Sequence, residues 1–284
     1  MERPTLSPPT RNKEQTCYGK PLFIPASMLV SKGIENRTRL RLKRLESGHN
    51  SGLCFGVRSL DNSVGGFKLH DLVVLYGSRH ALTLSQLLAV RAQLPLHEHG
   101  LDSPVLLVDA GCSFNPHRVS SFAQSQGMNS RDVLEGIYLS RAFTVYQLSS
   151  LIYEWLPRAI KEYDARLVII SALFELFTDV DIPREELLTS FHNLSKFLSK
   201  LVLEEEIAML VAVPYRDASP KMDTLLRLLK SRADIIAELE EKRDHLRLTL
   251  ERHPRTESGF VDVPFSDLDR GLFLQDFLEV NKAG

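Results

Sequence analysis

The 284 residues are enough for one large domain with an extension, and 43% hydrophobic against 25% charged residues exclude global disorder and fibrous repeats. With 35 Lys plus Arg against 36 Asp plus Glu, the net charge of -1 excludes a whole-chain field that would by itself demand nucleic acid or a membrane surface. Any polyanion site must be local.

Residues 1–50 are rich in Pro, Ser, Arg and Lys and read as a flexible arm, ahead of a core over 51–265 and a tail over 266–284. One short apolar stretch, 21–30, interrupts the arm. A basic run of Arg37, Arg39, Arg41, Lys43 and Arg44 interleaves with Leu40, Leu42 and Leu45. It reads as a stretch that tracks phosphates or, more simply, as a solvated face with a packed apolar side. No aromatic residue lies inside it to stack a base, so contact there would be independent of sequence.

Beyond Leu53, short aliphatic runs alternate with longer amphipathic segments, the pattern of a parallel sheet with crossover helices. Runs at 72–76, 105–109, 137–139, 167–170 and 207–213 are nearly continuous in Val, Ile and Leu and predict buried strands. Helical spacing predicts helices over 82–94, 117–126, 145–162 and 183–206, with Pro183 in the first turn of the last. A short helix follows over 224–230. Residues 233–239 and 245–251 alternate around the charged turn 240–244 and predict an antiparallel hairpin closing the sheet. The expected fold is α/β, a mostly parallel sheet flanked by helices with a C-terminal antiparallel hairpin.

Cys17, Cys54 and Cys112 lack C-x-x-C spacing, and His97, His99, His117 and His192 fall on separate elements, so no metal site is expected. Cys112 and Ser113 have no sequence-evident base beside them, which leaves no case for a nucleophile. No apolar run approaches the roughly 20 residues of a membrane helix. The expectation is a reduced, intracellular protein without membrane contact.

Three stretches, in order, carry a resemblance. Gly56-Val57-Arg58-Ser59-Leu60-Asp61 followed by Val64-Gly65-Gly66 is similar to a T-G-x-x-x-L-D lead-in with a G-G pair. The longest, Val108-Asp109-Ala110-Gly111-Cys112-Ser113-Phe114-Asn115-Pro116-His117-Arg118, resembles D-T-E-x-T-F-x-P-x-R, and 127–143 continues it as G-x-x-x-x-x-V-L-x-x-I-Y-x-x-R-A. Residues 167–170, then Ser171-Ala172-Leu173 and Phe177, resemble L-[LIV]-[IV]-[VI]-D-S-[LV] with its following Phe, and Arg184-Glu185-Glu186-Leu187 resembles R-G-x-L. Together they resemble the RecA/RadA recombinase family in its archaeal and eukaryotic branch, which implies a RecA-like core.

The departures from that family matter as much as the match. A phosphate loop needs G-x-x-x-x-G-K-[ST], in which glycine backbone cradles phosphates, Lys neutralises them and Ser or Thr binds magnesium. Tyr76-Gly77 begins it correctly, but the second Gly, the Lys and the Ser/Thr fall on Leu82, Thr83 and Leu84, or with a one-residue insertion on Thr83, Leu84 and Ser85. The Lys is absent either way. The Walker B Asp is Ser171, the water-activating Glu two residues after Asp109 is Gly111, and the T-N-Q stretch reads Ala212-Val213-Pro214. The resemblance therefore implies a non-catalytic paralogue, an inactive ATPase with no cofactor. Gly77, Arg79 and His80 would offer weak phosphate contact or simply form an ordinary strand-to-helix turn.

The resemblance also implies binding sites. Phe23-Ile24-Pro25-Ala26 is similar to the F-x-x-A motif with which family members fill pockets on a neighbouring core, and the alternative is that Phe23 anchors on its own domain. The first loop facing DNA would fall near 178–186 and carries Arg184, but also Asp179, Asp181, Glu185 and Glu186. The second, near 214–232, carries Arg216, Lys221, Arg227, Lys230 and Arg232 against Asp217 and Asp223; a helix covering the sheet with snorkelling cations explains it equally. Expected partners are a RecA/RadA-type recombinase or other paralogues in a hetero-oligomer, with single-stranded DNA a weaker expectation. The implied role is accessory, in homologous recombination and DNA repair, nuclear in a eukaryote and cytoplasmic in a prokaryote. The alternatives are a subunit contributing in trans to a partner's ATPase site and a KaiC-like scaffold unrelated to DNA.

Overall fold

Parallel strands buried on both faces read as unbroken aliphatic runs, and the runs named above form the middle of one sheet. The structure, a computed structural model, describes residues 23–29, 52–178, 183–214 and 220–265. Its strands are β1 (Ile24–Pro25), β2 (Leu72–Gly77), β3 (Val105–Asp109), β4 (Ile137–Arg141), β5 (Leu167–Ser171), β6 (Ala208–Pro214), β7 (Ile235–Glu241), β8 (His245–Arg252) and β9 (Gly259–Pro264). They lie in the order β1-β4-β3-β5-β6-β2-β7-β8-β9. From β4 to β7 every pairing is parallel, while β1 on β4, β8 on β7 and β9 on β8 are antiparallel. The sequence therefore describes the parallel centre and the hairpin correctly. It does not announce β9, which extends that hairpin, or β1.

Helices cover both faces. One face carries α1 (Arg58–Val64), α2 (His80–Arg91), α3 (Pro116–Ser125) and α4 (Ser130–Glu135), whose Leu60, Leu84, Leu88, Phe122 and Val133 share a buried core with Leu107, Ile169 and Leu210 of the sheet. The other carries α5 (Val145–Ser150), α6 (Leu156–Tyr163), α8 (Arg184–Glu204) and α9 (Pro220–Lys230), with Leu148, Leu156, Phe191, Leu194 and Leu225 against Leu106, Val168, Ile170 and Val211. A single turn, α7 (Glu175–Thr178), follows β5. The expected helix over 145–162 is continuous but not uniform, because Leu151–Trp155 has π-type spacing between α5 and α6. Pro157 explains the break: lacking an N–H, it is tolerated in the first turn of α6 but not in an unbroken α-helical ladder.

Two buried ionic groups, Arg91 and Asp71, fix long-range packing. Arg91 donates to the Cys54 carbonyl (2.7 Å), the Glu98 carbonyl (3.0 Å) and Gln126 Oε1 (2.7 Å), holding the lead-in loop against the end of α2. Arg255, in the turn after β8, clamps Asp71 before β2 with both guanidinium Nη atoms. Among the described residues no helix is long and apolar enough to cross a membrane.

Within the stretch expected as an arm, Ile24–Pro25 is a strand of this sheet and Ala26–Leu29 a 3-10 turn. Ile24 pairs with Leu139 and Pro25 with Tyr138, while Phe23 and Ala26 are 3% and 0% exposed. The basic run 37–44 and Arg216 lie outside the described residues.

Candidate functional site

In an open parallel sheet ligands bind beyond the carboxyl ends of the strands, where β2, β3, β5 and β6 end here in Gly77, Asp109, Ser171 and Pro214. A phosphate cradle there requires unspent backbone N–H groups. The turn after β2 has spent four of the five from Ser78 to Leu82. Ser78 N donates to Leu239 O (2.7 Å), His80 N to Ser78 Oγ (3.1 Å), Ala81 N to Ser78 O (3.1 Å) and Leu82 N to Arg79 O (3.0 Å). Helix α2 consequently begins at His80, three positions after Gly77. Gly77 has φ +106°, and a Cβ there would collide with the Leu239 carbonyl, so glycine serves a close approach to β7.

The other residues around this turn are also committed. His80 is buried, with Nδ1 2.9 Å from Ser78 Oγ and 3.5 Å from Glu241 Oε2, and its ring stacks on Phe265. Thr83 and Ser85 are inside the packed face of α2, and Ser85 Oγ donates to Leu82 O at 2.8 Å. Arg79 is half-buried just ahead of the helix. These residues lie at and after the turn that follows β2, and that turn is closed rather than cradle-shaped.

Next to it, Asp109 is fully buried and its carboxylate is saturated. Oδ1 accepts from Ser113 N (2.9 Å), Ser113 Oγ (3.0 Å) and Ser171 Oγ (3.1 Å); Oδ2 accepts from Phe114 N (3.1 Å) and lies 3.4 Å from Arg141 Nε. Ser171 thus supplies a hydroxyl to a neighbouring carboxylate where a second carboxylate would repel it. A Cβ on Gly111 would meet the Glu175 carboxylate, so a side chain from α7 fills the space left empty at Gly111. Glu175 could not be found from spacing, because only the β5-to-α7 turn brings it there. Among the described residues there is no group of three or more His, Cys, Asp or Glu side chains placed to hold a metal ion.

The expected DNA-facing cations divide. Arg184 at the start of α8 and Arg227 and Lys230 on α9 line one cavity of about 460 Å³ together with Asp223 and Thr224. Arg184 and Arg227 are exposed, and Arg227 Nη2 donates to Thr224 Oγ1 at 3.3 Å. Lys230 is spent internally. Its Nζ pairs with Glu251, lies 3.2 Å from the Tyr76 hydroxyl and sits 4.6 Å over the Tyr76 ring. Tyr76 donates to Glu251 in turn, and burial, then that bond, pushes its pKa above the ordinary tyrosine range. Glu238 beside them is pushed up by burial, then by Glu240 and Glu251. Lys221 and Arg232 are half-buried, and the Arg232 Nε is buried without a partner among the described residues. Leu225, Leu226 and Leu229 anchor α9 on the sheet, so part of its cationic excess belongs to snorkelling stems.

A model of the Rad51 family matches residues 52–224, from the lead-in loop to the first turns of α9. DNA repair protein RAD51 homolog B of Zea mays is 33% identical over 192 residues, 66% of this chain and 55% of that protein. DNA repair protein RAD51 homolog 1 of Arabidopsis thaliana is 32% identical, and Meiotic recombination protein DMC1 homolog A of Oryza sativa subsp. japonica 30%, with the same coverage of both chains. The chain thus spans about half the length of the curated relatives it matches.

Proposed function

This chain belongs to the Rad51 family, and from that premise we propose that it acts in recombination and repair as a member that binds without hydrolysing ATP. The observation that carries the reading is the closed turn 77–82, where four of the five backbone donors from Ser78 to Leu82, those of Ser78, His80, Ala81 and Leu82, are spent inside the protein. A Lys is missing from the same turn, Ser171 stands where a magnesium-organising Asp is needed, and Gly111 carries no base. The chain contributes a surface, not a turnover. Its partners are a RecA/RadA-type recombinase or related paralogues, with exposed Arg184 and Arg227 available to single-stranded DNA.

Steady-state ATP hydrolysis by the purified chain, beside an active recombinase, tests this directly. The expected rate is background with and without single-stranded DNA, and turnover above background ends the reading. Mixing with a recombinase separates the neighbouring possibilities: hydrolysis that rises beyond the recombinase's own rate identifies a contribution in trans to the partner's site. Single-stranded DNA binding that weakens steeply with salt supports the nucleic-acid role. Its absence at low salt leaves a scaffold of KaiC-like type.

A further inference from the structure

The last strand of a sheet presents backbone N–H and C=O groups that another chain can pair. Among the described residues that strand is β9, with β8 on one side and no strand on the other. The ladder fixes which of its groups face outward. In an antiparallel pair, opposed residues alternate between those that exchange hydrogen bonds and those that turn theirs away. Phe265 N donates to Asp244 O (3.4 Å), and the next residue, Pro264 opposite His245, has no N–H to give. The bonded pairs are then Leu246 with Val263, Leu248 with Val261 and Leu250 with Gly259. Phe260 and Asp262 point their N–H and C=O groups away from β8.

The two faces of this edge differ. Val261 and Val263 turn to the core that α1 covers, and Val261 is left half-buried at its rim. On the opposite face Phe260 is 66% exposed, with Arg247 over its ring (4.7 Å) and Asp262 beside it. Across 235–265 acidic side chains outnumber basic ones seven to five, and Arg255 is already spent on Asp71. A strand that completes this edge would carry aliphatic residues toward Val261 and Val263 and cations toward Phe260 and Asp262, in alternation. Residues 37–45, outside the described residues, have that pattern: Arg39, Arg41 and Lys43 alternate with Leu40 and Leu42.

The run does not reach its own β9 while residues 23–29 are in place. β1 and β9 are the two ends of the strand order, eight spacings apart, or about 38 Å at about 4.8 Å each. From Leu29, just past β1, to Arg37 is eight residues, at most about 29 Å of extended chain. We infer that the free edge of β9 is a self-association site, to which residues 37–45 of a second copy add as a further strand, leucines inward and cations outward. The contact is head-to-tail in kind, the basic run of one copy on the hairpin of another. It stands apart from the hydrolysis reading, since neither result on ATP alters it.

Sedimentation velocity on the full chain, from micromolar to submillimolar concentration, is expected to show mass rising with concentration. A chain carrying Arg39→Glu, Arg41→Glu and Lys43→Glu together is expected to stay monomeric. So is Phe260→Pro, which removes an outward donor while leaving the bonds of β9 to β8 intact. A fluorescent peptide of residues 36–46 reads the edge directly by anisotropy. Its affinity for the full chain is expected to fall about tenfold or more with Phe260→Pro and to be unchanged by Phe143→Ala, an equally exposed aromatic on another element. Circular dichroism reports that each variant is folded. Should Phe260→Pro unfold, Asp262→Lys takes its place with the same losses expected. A wild-type chain that stays monomeric throughout, association that survives the three charge reversals, or equal peptide affinity for wild type and the folded edge variant overturns the proposal.

Discussion

Glu238 lies half-buried on β7 with Glu240 and Glu251 nearby, and burial, then those two carboxylates, raises its pKa. A carboxyl that holds its proton more tightly folded than unfolded costs stability as pH climbs from the unfolded value, near 4.3, through the raised folded value. Glu238→Gln is therefore expected to raise the melting temperature at pH 7. The gain should shrink to nothing near pH 3, where folded and unfolded forms are both protonated, and melts across that range check it. Arg184 and Arg227 make a second case at the same scale. Each replaced by Ala is expected to weaken single-stranded DNA binding and to reduce the slope of log K against log salt by about 0.7 for each phosphate the side chain neutralises. A Lys230→Ala slope equal to wild type would agree with its commitment to Glu251, and a reduced slope would count against it.

At the scale of elements, capping decides where helices start. Asn115 Oδ1 accepts from His117 N (3.0 Å) and Arg118 N (3.2 Å), with Pro116 opening α3. Asn115→Ala is expected to cost about 1 kcal/mol in chemical unfolding. Strands such as Val105–Asp109 and Leu167–Ser171 were legible because burial on both faces writes an uninterrupted aliphatic run. α1 and α4, with 7 and 6 residues, are too short for a 3.6-residue period to show. β9 carries Gly259, Asp262 and Pro264, which read as loop, and is a strand only because β8 lies beside it. The candidate site divides along the same line. Departures such as the absent Lys and the serine at 171 are visible in the chain itself. The closure of the 77–82 turn on Leu239, the approach of Glu175 to Gly111 and the pairing of Lys230 with Glu251 depend on contacts across the fold, which no local pattern records.

Across the whole molecule, the clamp between Arg255 and Asp71 joins the last antiparallel strands to the start of the central strand β2. Asp71 is 5% exposed, and with the guanidinium removed its carboxylate still accepts from the Lys68 N–H (2.7 Å). Arg255→Ala is expected to cost about 2 kcal/mol, read by denaturant titration, because a buried carboxylate loses charge-assisted donors. The fold beside β2 is secured by packed side chains. Eleven of the twelve residues of α2 are buried, from His80 to Arg91 with Leu82 alone excepted. A protein fastened by a bound ligand gains stability with ligand concentration, and one fastened by its own flanks does not. Melting curves with and without millimolar ATP are therefore expected to superimpose. If the proposed reading holds, the lifetime of the folded chain would not follow the ATP concentration of the cell.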